Sequence, residues 1–321
     1  MTRPRIIVTR KLPEAVEDRL KRHFAVALNK TDEIFTKDKL ITAMRHCDGL
    51  LATTSDPLDG DVLRADGKRR AQIVSNFAVG VNNIDLDTAR AEGLRVTNTP
   101  DVLTDATADI ALTLILNVTR RTWEHENRLR NGSWTGFALT QGLGTSLQGK
   151  TLGIIGMGRI GKAVAKRARD GFGMKIIYFN RSPVADTEGA AEACGSIEDV
   201  MRRADIISIN APGGAGNRHM INEDRLRLMK PTAYFINTSR GDVVDEAALI
   251  ELLKDDRIAG AGLDVYENEP KVPRDLREME NVCLLPHIGS ATVETRVAMG
   301  MLAVDNLIAH FKGEDLPSAV V

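Results

Sequence analysis

Cysteine is scarce in this chain, and the three present, Cys47, Cys194 and Cys283, are odd in number and far apart. That excludes a disulfide scaffold, a zinc knuckle and a paired redox motif, and it predicts a reducing compartment. A surplus of one charge is also lacking. The chain has 43 basic and 44 acidic residues, a net charge of −1, so composition points neither to nucleic acid nor to an anionic membrane as a partner. Long apolar runs are missing as well. The longest, Ile110–Leu116 with its flanks, is interrupted by Thr113 and preceded by Asp105 and Asp109. It falls far short of the ~20 residues needed to span a bilayer and reads as a buried helix. Beyond Arg3 and Arg5 only the short run Ile6–Val8 is apolar, which is no secretory h-region, so the expected location is the cytoplasm. N-x-S/T matches such as those starting at Asn117, Asn131 and Asn237 then read as chance.

What is present is 321 residues, 43% of them apolar, enough for about two domains with substantial cores. Short β-rich runs alternate with helical stretches along nearly the whole chain, the pattern of parallel sheets covered by helices, so the expected class is α/β. Runs at 5–9, 24–28, 48–52 and 72–76 read as strands. Between them Pro13 opens a helix, Thr36 caps a second, and residues 59–66 suggest a third. A glycine-containing stretch, Gly142–Gly149, reads as a loop. After it come strand candidates at 151–155, 175–179, 205–209, 232–236, 259–265 and 282–285, a number that suits a doubly wound dinucleotide fold. A last helical pattern over Ala291–Phe311 carries Val297, Met301, Val304 and Ile308 at helix spacing and can return to the first domain.

The strand Thr151–Ile155 runs into Gly156-Met157-Gly158-Arg159-Ile160-Gly161 and then a helical stretch. This is G-x-G-x-x-G in its strand–turn–helix setting. Gly156 permits the tight turn, Gly158 lets the backbone approach a pyrophosphate, and Gly161 allows close helix–strand packing. The helix amino terminus presents free N–H groups and a positive dipole end to the phosphates. The next strand, Lys175–Phe179, ends in Asn180-Arg181-Ser182 where a carboxylate would accept from a free ribose 2′-hydroxyl. No carboxylate stands there. Arg181 suits a 2′-phosphate through a charge-assisted fork, with Ser182 as a further donor, so NADP is preferred over NAD.

Open α/β sheets bind ligands beyond the carboxyl ends of their strands. Three apolar runs end there in Thr238-Ser239-Arg240-Gly241, in Tyr266-Glu267-Asn268-Glu269-Pro270 and in Pro286-His287-Ile288-Gly289-Ser290. Reduction of a keto acid needs a proton donor for the carbonyl oxygen and a cation for the carboxylate. His287 suits the proton donor, Glu269 a holder of its ring, and Arg240 the carboxylate fork. Of six histidines, only His287 directly follows a strand end between Pro286 and Gly289.

At these residues the chain resembles the D-isomer-specific 2-hydroxyacid dehydrogenases and, within them, the glyoxylate and hydroxypyruvate reductases. The resemblance spans almost the whole chain. Its most specific segments are Asn76–Val81, Thr99–Thr104, the glycine turn, Asn237–Asp245, Gly262–Pro270 and Pro286–Ser290. It implies that Arg240, Glu269 and His287 are catalytic, that the Val79 and Gly80 N–H groups bind the substrate carboxylate, that Ser290 supports the site, and that Thr104 lies close to the nicotinamide. It further implies two Rossmann-like or flavodoxin-like parallel-sheet domains. Residues 1–98 and 289–321 would bind substrate, residues 99–288 would bind the dinucleotide, and the two domains would close over the site in a homodimer. In the reductases an aromatic residue near Trp134–Phe137 reaches the partner's active site, and here Phe137 would serve. Two other readings stay open: an NAD-linked dehydrogenase of another hydroxy acid such as 3-phosphoglycerate, disfavoured by the missing ribose-binding acid, and a nucleotide-sensing corepressor-like module, which the fold alone does not exclude.

Overall fold

Apolar β-branched and leucine-rich runs bounded by turn residues pair into two parallel sheets. In the computed structural model, which describes residues 3–185 and 191–321, they fall in separate units, Met1–Leu103 with Ser290–Val321 and Thr104–Gly289.

In the first unit, β1 (Arg5–Val8), β2 (Ala25–Ala27), β3 (Gly49–Ala52), β4 (Ile73–Asn76) and β5 (Arg95–Thr97) form a parallel sheet in the order β2-β1-β3-β4-β5. Parallel strands covered on both faces are apolar throughout, and β3 and β4 are buried along their full length. Helix α1 (Glu14–His23) begins after Pro13, whose fixed φ of −54° suits a helix start, and turns Val16 and Leu20 inward. Helix α2 (Lys37–His46) is capped by the Thr36 hydroxyl, which accepts from the Lys39 N–H at 3.3 Å. Helices α3 (Gly60–Arg64) and α4 (Leu86–Ala91) complete the connections. The C-terminal helix, Val293–Lys312, packs back on this sheet. Ser75 on β4 donates to the Ala303 carbonyl at 2.9 Å, Leu307 meets Gly49, and Gly300 lies against Val16 of α1 with no room for a Cβ. The final residues continue the edge, with Val320 donating to the Val96 carbonyl at 2.8 Å.

In the second unit, helices α5 (Thr104–Thr119) and α6 (Thr122–Arg130) precede seven strands: β6 (Thr151–Ile155), β7 (Lys175–Phe179), β8 (Ala191–Ala193), β9 (Ile206–Ile209), β10 (Tyr234–Asn237), β11 (Gly260–Leu263) and β12 (Val282–Leu284). All are parallel, in the order β12-β11-β10-β9-β6-β7-β8. Helices α7 (Arg159–Phe172), α8 (Ile197–Arg203), α9 (Glu223–Leu226), α10 (Glu246–Lys254) and α11 (Arg274–Glu278) connect them. One apolar cluster is built around Phe235, Leu249 and Leu253, the other around Leu114, Ile154 and Ile236, which places a core on each face of β10. Residues 110–116 lie inside α5, which is half buried and turns Ala111, Leu112, Leu114 and Ile115 inward, as the apolar run there predicts. The chain leaves β6 toward β7 on one side and returns through β9 on the other, so the crevice between the ends of β6 and β9 is the switch point where such sheets bind ligands. No described helix is long and apolar enough to cross a membrane.

Two strands were not visible in the sequence pattern, β5 and β8. Each is three residues long and sits at a sheet edge. The strand expected at 259–265 ends at Leu263, because the chain past it turns to bring the Asp264 carboxylate under the 288–289 backbone.

Candidate active site

The glycine turn sits at the switch point of the second unit. Gly156 has φ +96°, and a Cβ there would come 2.7 Å from the Asn210 carbonyl carbon at the end of β9. Only glycine satisfies both conditions. Gly158 is the N-cap of α7 and faces open space, with nothing within 4 Å of an added Cβ. Gly161 lies against the Gly156 carbonyl with no room for a side chain. Arg159, Ile160 and Gly161 form the first turn of α7, whose N–H groups have no acceptor within the helix. The open cradle at Gly158 and the buried, unpartnered Asn210 Oδ1 and Thr238 Oγ1 just past β9 and β10 fit a dinucleotide's pyrophosphate and polar edges.

Asn180 does not present its amide outward. Its Oδ1 accepts the Met157 N–H at 3.0 Å and its Nδ2 donates to the Ser182 carbonyl at 2.8 Å, tying the turn after β7 to the glycine turn. Ser182 is exposed, and Arg181, also exposed, donates to Asn217 Oδ1 at 2.5 Å. Thr104 is the first residue of α5.

Arg240, Glu269 and His287 follow β10, β11 and β12, three neighbours in one sheet. Asn237 shapes the turn carrying Arg240. Its Oδ1 accepts the Ser239 N–H at 3.0 Å and its Nδ2 donates to the Arg240 carbonyl at 2.9 Å. Gly241 lies so close to the Tyr266 backbone that no Cβ fits. Burial pulls the Arg240 guanidinium below its ordinary value, while the charges of Glu269 and Asp242 work against that. The guanidinium donates to the Ser239 carbonyl at 2.7 Å.

Glu269 engages both carboxylate oxygens. Oε1 accepts the Tyr266 N–H at 3.1 Å and Oε2 lies 2.8 Å from His287 Nδ1. Burial alone would push this carboxyl up. The His287 hydrogen bond and charge, the Tyr266 N–H and Arg240 outweigh it and hold Glu269 below the usual carboxylate range. An ionised carboxylate accepts only, so Nδ1 carries the proton in this pair and Nε2 has no partner among the described residues.

Sequence reasoning missed what holds His287 in place. Asp264, 1% exposed, accepts the Ile288 N–H at 2.7 Å and the Gly289 N–H at 2.8 Å. This clamps a loop in which His287 has φ +54°, a region that L side chains rarely adopt. Burial raises the Asp264 carboxyl above its ordinary value. The available signal was an acid directly after the apolar run Gly260–Leu263, since a buried carboxylate needs donors. A second pair was also missed. Glu267 accepts from Arg218 at 2.6 Å and from His219 Nε2 at 2.9 Å, and its own N–H donates to Glu246 at 3.2 Å, joining the loops after β9 and β11. No spacing in the sequence signals it.

Three other expected residues, Val79, Gly80 and Ser290, lie in the first unit. Val79 and Gly80 are on the loop after β4. Their carbonyls accept from Asn98 and Asn76 at 2.8 and 2.9 Å, while their N–H groups have no acceptor among the described residues. Ser290 precedes the C-terminal helix, and its carbonyl takes the Thr292 N–H at 3.0 Å. Phe137, in the second unit, is 87% exposed.

Comparison with known proteins agrees with this architecture. Residues 112–289 match the model of the D-isomer specific 2-hydroxyacid dehydrogenase NAD binding domain. A glyoxylate reductase of Thermococcus kodakarensis is 46% identical over 324 residues, covering 99% of this chain and 96% of that one. One of Pyrococcus furiosus is 42% identical, covering 99% and 95%. An NADPH-dependent glyoxylate/hydroxypyruvate reductase from Sinorhizobium meliloti, solved with NADP and malonate, superposes with a TM-score of 0.87 at 38% identity, covering 100% of this chain and 97% of that one. The chain therefore belongs to the D-isomer-specific 2-hydroxyacid dehydrogenase family and is an NAD(P)-dependent oxidoreductase.

Proposed function

We propose that this enzyme reduces small 2-keto acids, glyoxylate and hydroxypyruvate foremost, to the D-2-hydroxy acid, and that it prefers NADPH to NADH. The observation that carries the reading is the 2.8 Å pair between Glu269 and His287 beside the partly buried Arg240. The relatives named glyoxylate reductase support the substrate class.

The residues around the glycine turn would hold the dinucleotide, whose nicotinamide supplies the hydride. In reduction, Nε2 of protonated His287 gives its proton to the carbonyl oxygen as the hydride reaches the keto carbon, so the product gains one hydride and one proton. Glu269 holds the ring through Nδ1 and stabilises its protonated form. Arg240 binds the substrate carboxylate through its planar fork and polarises the carbonyl. In the first unit, the unpaired Val79 and Gly80 N–H groups suit a carboxylate, with Ser290 as a supporting residue. Arg181 and Ser182 suit a 2′-phosphate, which favours NADPH.

A homodimer is part of the proposal. Among the described residues eight large apolar side chains are exposed, and six of them, Trp123, Leu129, Trp134, Phe137, Leu139 and Leu143, fall within residues 123–143. Such crowding of exposed apolar side chains along one segment supports an interface there.

Loss of NADPH absorbance on adding glyoxylate or hydroxypyruvate tests the activity. No turnover of either acid, with NADPH or NADH, would overturn it. Light scattering at working concentration tests the dimer, and a monomeric mass would reject it.

A further inference from the structure

Asn217 lies in the loop that follows β9, at the end of the run Gly213-Gly214-Ala215-Gly216-Asn217. Its side chain is buried, and both ends of the carboxamide are occupied. Nδ2 donates to the Pro212 carbonyl at 2.8 Å and Oδ1 accepts from the Arg181 guanidinium at 2.5 Å. The loop is itself fixed. The Asn217 N–H donates to the Gly214 carbonyl at 2.9 Å, the Gly214 N–H donates to Asp242 Oδ2 at 3.0 Å, and Gly214 has φ +102°, which only glycine adopts without strain.

An exposed arginine on a turn ordinarily samples many rotamers and must give up that freedom when it grips a phosphate. Here one amino group of Arg181 is anchored to a buried acceptor, itself bonded to the Pro212 carbonyl, before any ligand arrives. Part of the ordering cost is thereby removed from binding. A neutral carboxamide is the right anchor for this task, because it orients the guanidinium without cancelling its charge. A carboxylate in the same place would compete with the phosphate.

We infer that Asn217 is a specificity-determining positioning residue, holding Arg181 in place for the 2′-phosphate of NADPH and so setting the discrimination against NADH. The inference rests on the proposed 2′-phosphate role of Arg181 and adds to it the residue that makes the role effective.

The test is calorimetric titration of NADPH and NADH into wild type, Arg181→Ala, Asn217→Ala, the double variant and Asn217→Asp. Direct binding is the readout, and the ratio of the two Kd values is compared. The anchoring bond is internal and does not touch the ligand, so its loss should cost no more than an ordinary net hydrogen bond and lower the NADPH preference of Asn217→Ala by roughly three- to tenfold. In the Arg181→Ala background, Asn217→Ala should change the ratio no further, since the anchor acts only through the arginine. Asn217→Asp keeps the shape and the bond to Arg181 but adds a negative charge beside the phosphate, so it should also erode NADPH preference.

If Arg181→Ala lowers the preference while Asn217→Ala leaves or increases it, the inference fails and the 2′-phosphate reading stands. Equal weakening of both cofactors, or the same drop in the ratio in the Arg181→Ala background, assigns Asn217 a merely structural part and also overturns the inference. A wild type with no NADPH preference overturns the 2′-phosphate reading and the inference with it. Should Asn217→Ala not fold, Asn217→Asp decides alone: an unchanged Kd ratio in that variant overturns the inference.

Discussion

Oε2 of Glu269 lies 2.8 Å from Nδ1 of His287, while Oε1 of the same carboxylate is held by the Tyr266 N–H at 3.1 Å. The carboxylate cannot rotate without giving up one of these bonds, so it fixes the imidazole plane as well as its tautomer. The charge of Arg240 also acts on this carboxylate, which makes the three residues one electrostatic unit.

The first prediction separates chemistry from cofactor capture. His287→Ala removes the proposed proton donor but no group of the glycine turn. Turnover of hydroxypyruvate should fall by about a hundred- to ten-thousandfold, the usual worth of a positioned general acid, while the Kd of NADPH by titration stays close to wild type. A parallel loss of cofactor affinity would place the histidine elsewhere.

The second prediction concerns pH and Glu269→Gln. A neutral amide loses the charge-assisted bond to His287 Nδ1, so kcat on hydroxypyruvate should fall. A pH-dependent effect is also expected on stability. Because the Glu269 carboxyl is held below its ordinary value, its contribution is present above the usual carboxylate range and is lost as pH falls through the lowered value. The Tm gap between wild type and Glu269→Gln should therefore be widest near neutrality and close in acid. An unchanged kcat together with a Tm gap that does not depend on pH would remove Glu269 from its role.

The third prediction addresses the loop beneath the histidine. Asp264→Ala would leave the Ile288 and Gly289 N–H groups without their acceptor, at about 1–3 kcal/mol for each buried unpaired group. The unit carrying Asp264 should lose roughly 2–4 °C of Tm per kcal/mol, and kcat should drop because the strained backbone at His287 is no longer imposed. Asp264→Asn retains one acceptor oxygen and should lie between. Thermal melts and kcat together decide, and an Asp264→Ala protein with both unchanged would show that the loop holds itself.

What the sequence revealed and what it hid divide along physical lines. Long strands such as Thr151–Ile155 and Lys175–Phe179 announce themselves through continuous apolar runs, and the glycine turn between them through a motif in which Gly156 and Gly161 answer steric needs and Gly158 leaves an open cradle. Arg240, Glu269 and His287 were visible because each follows a strand end. Edge strands Arg95–Thr97 and Ala191–Ala193 were not, since three residues with little apolar content carry no period. Nor were Asp264 and Asn217. Their partners, the 288–289 backbone and Arg181, are 24 and 36 residues away in the chain and come close only through the sheet order. Single-residue chemistry at strand ends is legible from one sequence, whereas the groups that hold it in place are long-range contacts and need the fold.

The last prediction concerns substrate choice. Arg240 combines a planar fork with an environment in which burial already lowers its proton affinity, so a bound carboxylate would meet a desolvated cation and gain more than it would in water. A neutral amide or aldehyde in place of the carboxylate would leave guanidinium N–H groups unpaired, costing about 1–3 kcal/mol for each group so stranded. The enzyme should therefore reduce hydroxypyruvate far faster than its uncharged analogues. Arg240→Lys keeps the charge but replaces the fork by a single ammonium, which satisfies one carboxylate oxygen and no longer reaches the carbonyl in the same plane. KM for the acid should rise, and kcat should fall with it, because an interaction that strengthens as the carbonyl oxygen gains charge is lost from the transition state. If Arg240→Lys instead raises KM alone, the arginine only binds the carboxylate and another donor polarises the carbonyl. Equal wild-type rates on the charged and uncharged compounds would mean that Arg240 does not read a carboxylate, and the 2-keto acid assignment would fall.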